Sequence, residues 1–467
     1  MWRYFRYYLL PVFCSFFLTA INDYGQSVIT TFAGNGTAGY SGDNGLATSA
    51  ELNGCDKAIS DYRGNWFLSD RFNRRIRKID TNGIITTIVG TGNPGSSGDN
   101  GPALLAEVVG PCDLLFDHFR NLYFSDYDNC KIRRVDTVGI ITTIAGTGAC
   151  GYAGDNGLAT SAQLCGPVGI AFDENGNLYI ADEINCVIRK VDRSGIITTF
   201  AGTGVCGFTG DYIPATTAQL NVPGGIIFDK WGNLLFSDRL NYRIRKIDGS
   251  GLISTVAGSG VAGYSGDGGN ANFARLNIPS GLLLDSVDNL FFADCFNNVI
   301  RKVSQNGIIT TIAGNGFGSG SDCNGRYWGD GGSPLSASLN GPLFLSFDKY
   351  GNIFIGDECN NRIRKITGVG VMVSGVKSEK QKKVQGQVFP NPSNGNFTVK
   401  YDCSGKAGIK FMLFNLMGEV RMESYLESGE GAINVDASQL ASGSYFYKLS
   451  DNGYTYIEGK LIIMKIE

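Results

Sequence analysis

Val28-Ile-Thr-Thr-Phe-Ala-Gly34 returns at Ile84–Gly90, Ile140–Gly146, Ile196–Gly202, Leu252–Gly258 and Ile308–Gly314, each start 56 residues after the one before. A second phrase, Ile76-Arg-Lys-Ile-Asp80, keeps step with it at Ile132–Asp136, Ile188–Asp192, Ile244–Asp248, Ile300–Ser304 and Ile363–Thr367. Only the last interval stretches, to 63 residues, around an insertion from Cys323 to Trp328. Repetition at this period marks a repeat architecture.

One unit shows what each repeat builds. Gly169-Ile-Ala-Phe-Asp173 is a short apolar run that ends in the turn Glu174-Asn-Gly176. Asn177-Leu-Tyr-Ile-Ala-Asp182 is a second run, and Val187–Asp192 alternates apolar and basic residues with the period of a half-exposed strand. Arg193-Ser-Gly195 then turns the chain into Ile196–Gly202, rich in β-branched residues. Four short strands per unit, six times over, predict an all-β, six-bladed β-propeller, which solves the open-edge problem by radial repetition. Solenoid repeats are usually shorter and need caps. First strands start near Gly54, Gly110, Gly166, Val222, Ile278 and Gly341, but a fourth strand follows only the first five. The missing one is expected from Val28–Gly34, so that the N-terminal strand closes the ring.

The units resemble the NHL family of propellers over about residues 27–370. The likeness rests on Asp-x-x-Asn before the Ile-Arg-Lys phrase: Asp70/Asn73, Asp126/Asn129, Asp182/Asn185, Asp238/Asn241, Asp294/Asn297 and Asp357/Asn360. Loops such as Tyr40–Gly45 and Tyr152–Gly157 resemble the long-loop bacterial variety. The namesake His is missing, since the only His is His118. That leaves the fold expectation intact and weakens transfer of any family function.

The ends add an address. Arg3 and Arg6 precede the apolar stretch Tyr7–Ala20, which reads as a signal peptide over 1–25. The propeller is expected over 27–373 and a polar, basic linker over 374–387. From 388 to 467, alternating runs and turns predict a small antiparallel β-sandwich. Val388-Phe-Pro-Asn-Pro392, with Gly443-Ser-Tyr445, resembles the type A C-terminal sorting domain of type IX secretion. The resemblance implies passage through the periplasm to the outer cell surface or the medium, with the secretion machinery as partner through 388–467. No segment beyond the signal is apolar for long enough to span a membrane. Net charge of −3 carries no electrostatic footprint for nucleic acid.

Chemistry is harder to find. First strands line a propeller's channel, and one column reads Lys57, Asp113, Gly169, Gly225, Gly281, Phe344. The column two residues on reads Ile59, Leu115, Ala171, Ile227, Leu283, Ser346. Only Lys57 and Asp113 stand out, in equivalent places of adjacent blades, where they are expected to pair. One His excludes a multi-His metal site, and no catalytic residue, metal ligand or cofactor is assigned. Calcium is the alternative only for the Gly-Asp loops, Asp43, Asp99, Asp155, Asp211, Asp267 and Asp330. The Asp-x-x-Asn carboxylates read as Asx-type bonds to backbone. The long loops and the Asp-x-x-Asn loops emerge on one face, which then carries Tyr40, Tyr152, Phe208, Tyr264, Tyr327 and Trp328. Such a rim suits a protein or glycan partner. The expectation is a secreted or cell-surface, non-catalytic binding or scaffold propeller. The rival is a hydrolase-, lactonase- or lyase-like enzyme with a divalent metal at the channel mouth.

Twelve cysteines, in an exported chain, predict disulfides. Cys130–Cys150 and Cys186–Cys206 share a separation of 20 residues, one repeat apart, and Cys295–Cys323 occupies similar loops. With Cys14 in the expected signal, eleven remain in the mature chain, and Cys55, Cys112, Cys165, Cys359 and Cys403 are left over, an odd number.

Overall fold

A computed structural model describes residues 27–321 and 323–368, and residues 385–464 apart from breaks at 392, 403–408, 416–419, 428–429 and 451–454. The expected signal peptide lies outside these residues. So does most of the expected linker, whose last three positions open the strand Gln385–Phe389. The chain divides into two compact units, Met1–Val373 and Ser374–Glu467.

In the first unit every repeat forms one antiparallel four-stranded sheet; the third is Pro167–Phe172, Leu178–Asp182, Val187–Val191 and Ile197–Ala201. The sixth sheet joins Pro342–Phe347, Ile353–Asp357 and Arg362–Ile366 to the N-terminal strand Ile29–Ala33, with Ile29 opposite Ile366. Innermost strands adjoin in chain order, and the sixth, Pro342–Phe347, adjoins the first, Cys55–Ser60. The fourth sheet gains a short edge strand, Ile213–Pro214, where Tyr212-Ile-Pro replaces the Asn-Gly or Gly-Gly that follows the loop Asp elsewhere.

The apolar core lies between blades rather than in one centre. Among the described residues, six clusters each join two neighbours, and a small seventh lies at the channel. Leu114, Phe124 and Ile141 of the second blade, for one, close on Ile76 and Val89 of the first. The column Ile59, Leu115, Ala171, Ile227, Leu283 belongs to these clusters and not to the channel wall. A strict period of two places it at the axis. Every first strand, however, shifts register after its first residue, as between Pro167 and Ile170. Such a bulge aims two successive side chains at the axis and re-phases the rest.

An arginine inside each blade holds the incoming loop. Arg77 Nη2 donates to Asp43 Oδ1 at 2.6 Å and Nη1 to Asp70 Oδ2 at 3.2 Å, with the arginine wholly buried. Arg133, Arg189, Arg245, Arg301 and Arg364 repeat the clamp between Asp99, Asp155, Asp211, Asp267 and Asp330 and the matching Asp-x-x-Asn carboxylate. The cation at the Gly-Asp loops is therefore a guanidinium, where calcium was the alternative. Asp70 also accepts the Asn53 backbone N–H at 2.8 Å, the bond to backbone expected of it. Asn73 Nδ2 spans Asp70 and the Gly39 carbonyl, tying the two loop sets together on one face.

Three disulfides are present among the described residues, and two differ from expectation. Cys186–Cys206 is formed. Cys150 pairs with Cys165, not Cys130, because a backbone bridge between Cys150 and Leu164 holds the two Cα atoms 4.4 Å apart. Cys130 lies beside that bond, the three sulfurs falling within 4.8 Å of one another. In the next repeat the place of Cys165 is taken by Asn221, so Cys206 turns to Cys186. Cys323 pairs with Cys359 rather than Cys295, which is buried against Val168, Leu343 and Phe344.

The second unit has two antiparallel sheets around a shared core. One holds Gln385–Phe389, Asn396–Asp402 and Glu430–Asp436; the other holds Val420–Tyr425, Lys410–Phe414, Gly443–Ser450 and Thr455–Ile463. Phe397 and Val399 meet Phe411, Leu413, Leu449 and Leu461 between them.

Candidate functional site at the channel mouth

The six blades converge on a cavity of about 240 Å³ at the end of the channel that carries the Asp-x-x-Asn loops. Its wall combines the second residue of each first strand with the residue after each second-strand Asp. The former series is Asp56, Cys112, Val168, Gly224, Ser280 and Leu343; the latter is Arg71, Tyr127, Glu183, Arg239, Cys295 and Glu358. All of these line the cavity except Cys295 and Glu358, which adjoin it. No two blades supply the same pair.

The charges alternate around the ring. Arg239 Nη1 donates to Glu183 Oε1 at 2.6 Å, blade to neighbouring blade. Arg71 bridges to Asp56 at 3.4 Å and reaches Glu358 at 4.0 Å, and its guanidinium lies 5.0 Å from the Tyr127 ring centre. Blades three apart face each other, so arginine opposes arginine and glutamate opposes glutamate. Val168, Leu343 and Phe344 form an apolar side. Two arginines thus stand among three carboxylates.

Asp56 is the least balanced. It is 1% exposed, and its Oδ1 has no hydrogen-bond partner. Burial pushes its carboxyl above the ordinary value, against the charge of Arg71. Burial also pushes the Cys112 thiol well up, and that thiol donates to the Gly110 carbonyl. Burial and the charge of Glu183 raise the Tyr127 hydroxyl.

Lys57 and Asp113 do pair, Nζ to Oδ1 at 2.5 Å, and Asp113 Oδ2 accepts the Ile170 N–H of the next blade. The three glycines of that column allow inner strands to approach closely. A Cβ on Gly169 would lie 2.3 Å from the Gly224 carbonyl oxygen.

The rim aromatics turn to their own blades. The Tyr40 ring stacks on Arg75, 3.6 Å to its centre, and its hydroxyl meets Asp43 and Thr87, both at 2.9 Å. Tyr327 repeats this stack on Arg362 and Phe208 covers Arg243, while Tyr152 and Tyr264 lie over the clamp arginines Arg189 and Arg301, Val187 and Val299 standing where the first blade has Arg75. They cover the clamps on the outer half of the ring and do not converge on the channel. Trp328 alone of the set stays largely open, 65% exposed.

Sequence reasoning missed Asp56, Arg71, Glu183 and Arg239. The signal was there: between an Asp and an Asn that never change, the position after each second-strand Asp reads Arg71, Tyr127, Glu183, Arg239, Cys295 and Glu358.

Residues 387–464 match the family described as "Secretion system C-terminal sorting domain", and residues 147–208 match "Teneurin NHL domain". Teneurin-4 of Mus musculus is 30% identical over 288 residues, 53% of this chain and 10% of that protein. The chain thus spans about a tenth of the curated relatives it matches. An auxiliary nutrient binding protein from Bacteroides thetaiotaomicron is 18% identical with a TM-score of 0.53, covering 73% of this chain and 76% of that one. The auxiliary nutrient binding protein from Bacteroides ovatus is 17% identical with the same TM-score, 0.53, and the same coverage, 73% and 76%. At such identity these two speak for the fold alone. The first unit is a six-bladed propeller of NHL type, and the second is a type IX secretion sorting domain. The protein is thereby directed to the cell surface or beyond it. Among the described residues no helix is long and apolar enough to cross a membrane.

Proposed function

We propose that this protein is an exported binding propeller that holds a small polar molecule in the channel mouth and does not turn it over. One observation carries the reading: the repeat that is kept throughout the clamps is abandoned around one cavity, where the blades contribute different side chains. A concave site with a few converging polar groups and an apolar side is the usual form of a ligand pocket. Binding fits better than chemistry because the arginines and glutamates are paired with one another and burial keeps the Cys112 thiol protonated. The name shared by the two Bacteroides neighbours accords with capture of a nutrient outside the cell.

Thermal-shift screening of the full chain with sugars, amino acids, amines and nucleosides tests this, with calorimetry on the hits. Affinity for the ligands found should change in the Arg71→Ala/Arg239→Ala variant, falling for anions and neutral molecules and rising for cations, and stay level in Trp328→Ala. Hits that survive the double variant and vanish with Trp328→Ala would move the site to the long-loop rim. Consumption of a hit would restore the enzyme reading.

A further inference from the structure

Resting on that reading, we propose that the channel mouth takes a small organic cation with an apolar body, its ammonium group seated on Asp56. Around the upper ring the charges cancel: Arg239 is bridged to Glu183, and Arg71 reaches Glu358. Asp56, one layer in, must share Arg71 with Glu358. It is buried, lines the cavity, and leaves Oδ1 without an N–H or O–H donor, the Cys112 thiol beside the carboxylate being only a weak one. A buried carboxylate oxygen in that state is costly unless something donates to it. The other charged pair nearby, Lys57 with Asp113, is self-contained. A cationic donor therefore both completes the hydrogen bonding and brings the group to neutrality. Beside it Val168, Leu343 and Phe344 offer an apolar wall for the rest of the molecule. The groups that face Asp56 are Arg71, Cys112, Arg239 and Asp113. Cys112 stays a thiol, so none of them replaces the missing positive charge.

Three probes of one shape test the class by calorimetry on the full chain: 2-phenylethylammonium, 2-phenylethanol and phenylacetate. The ammonium should bind about tenfold or more tightly than the alcohol, and the acid should bind least. In Asp56→Asn the ammonium should lose that advantage and match the alcohol. Equal or better binding of the alcohol or acid by the natural chain overturns the proposal. Undiminished binding of the ammonium by Asp56→Asn does the same. Should that variant not fold, the natural chain decides alone. Burial raises the Asp56 carboxyl above its ordinary value, so ammonium affinity must weaken as pH falls and Asp56 takes up a proton, while the alcohol's stays level; matching profiles overturn the idea. The pocket itself is judged separately. An alcohol or acid that binds and is lost in Arg71→Ala/Arg239→Ala keeps the site and removes the cation. Silence from all three probes removes the cation and leaves the site to the wider screen.

Discussion

Two sets of buried charges sit a few residues apart in every blade and obey opposite rules. The clamps are the same in all six repeats: one buried arginine set between two aspartates. The mouth draws a different pair of side chains from each blade and leaves Asp56 Oδ1 and the Nε atoms of Arg71 and Arg239 without hydrogen-bond partners. Identity across the repeats marks what each blade needs in order to stand. Departure from it marks what the assembled ring presents to something else.

The same substitution should therefore act oppositely in the two places. Asp182→Asn leaves the wholly buried Arg189 short of a counter-charge, and should cost about 3–5 kcal/mol of unfolding free energy. Asp56→Asn removes a carboxylate that lacks a full partner, and should leave stability unchanged or slightly higher. Chemical denaturation of both variants measures the contrast; equal losses would erase the distinction drawn here.

The disulfides belong with the clamps, since they pin loops to blades. Replacing Cys186 and Cys206 with alanine should cost about 2–4 kcal/mol. Ligand affinity at the mouth should not move, and a change in it would join the two regions that the comparison separates.

The smallest effect expected is in the pH dependence of melting, because the two carboxylates of a clamp shift in opposite directions. Burial pushes Asp70, Asp126, Asp182 and Asp294 up to about 6. Burial acts the same way on Asp43 and Asp155, but hydrogen bonds from Thr87 and Thr199 and the charge of the clamp arginine outweigh it and leave them below the ordinary value. A raised group contributes stability in full below its unfolded value of about 4 and loses it as pH rises through about 6. A lowered group contributes above about 4 and loses it as pH falls. The melting temperature should peak near about pH 4, fall by a few degrees as pH rises to about 6, and fall again as pH drops below about 4. A level profile from about pH 4 to 8 would mean that the inner carboxylates ionise in the ordinary range.

The period of 56 residues, the spare strand Val28–Gly34 and the Pro-Asn-Pro run near the C-terminus determined the propeller, its closing strand and the sorting unit by themselves. Repeats are legible because each is a local pattern of strand and turn, written several times over. The pair Lys57–Asp113 was legible too, as equivalent places in neighbouring blades. Tertiary structure decided the rest. Whether Cys150 met Cys130 or Cys165 turned on a single backbone bridge. That Tyr40 lies over its own Arg75 turned on how its loop folds back. Which side chains reach the axis turned on a bulge that breaks the two-residue period at the start of every first strand. That bulge brings Asp56 into the cavity and moves Ile59 to the interface between blades. A period read along one strand carries the direction of each side chain only while the ladder stays regular. A site assembled from six strands, each irregular at the same place, exists only once the ring has brought them together.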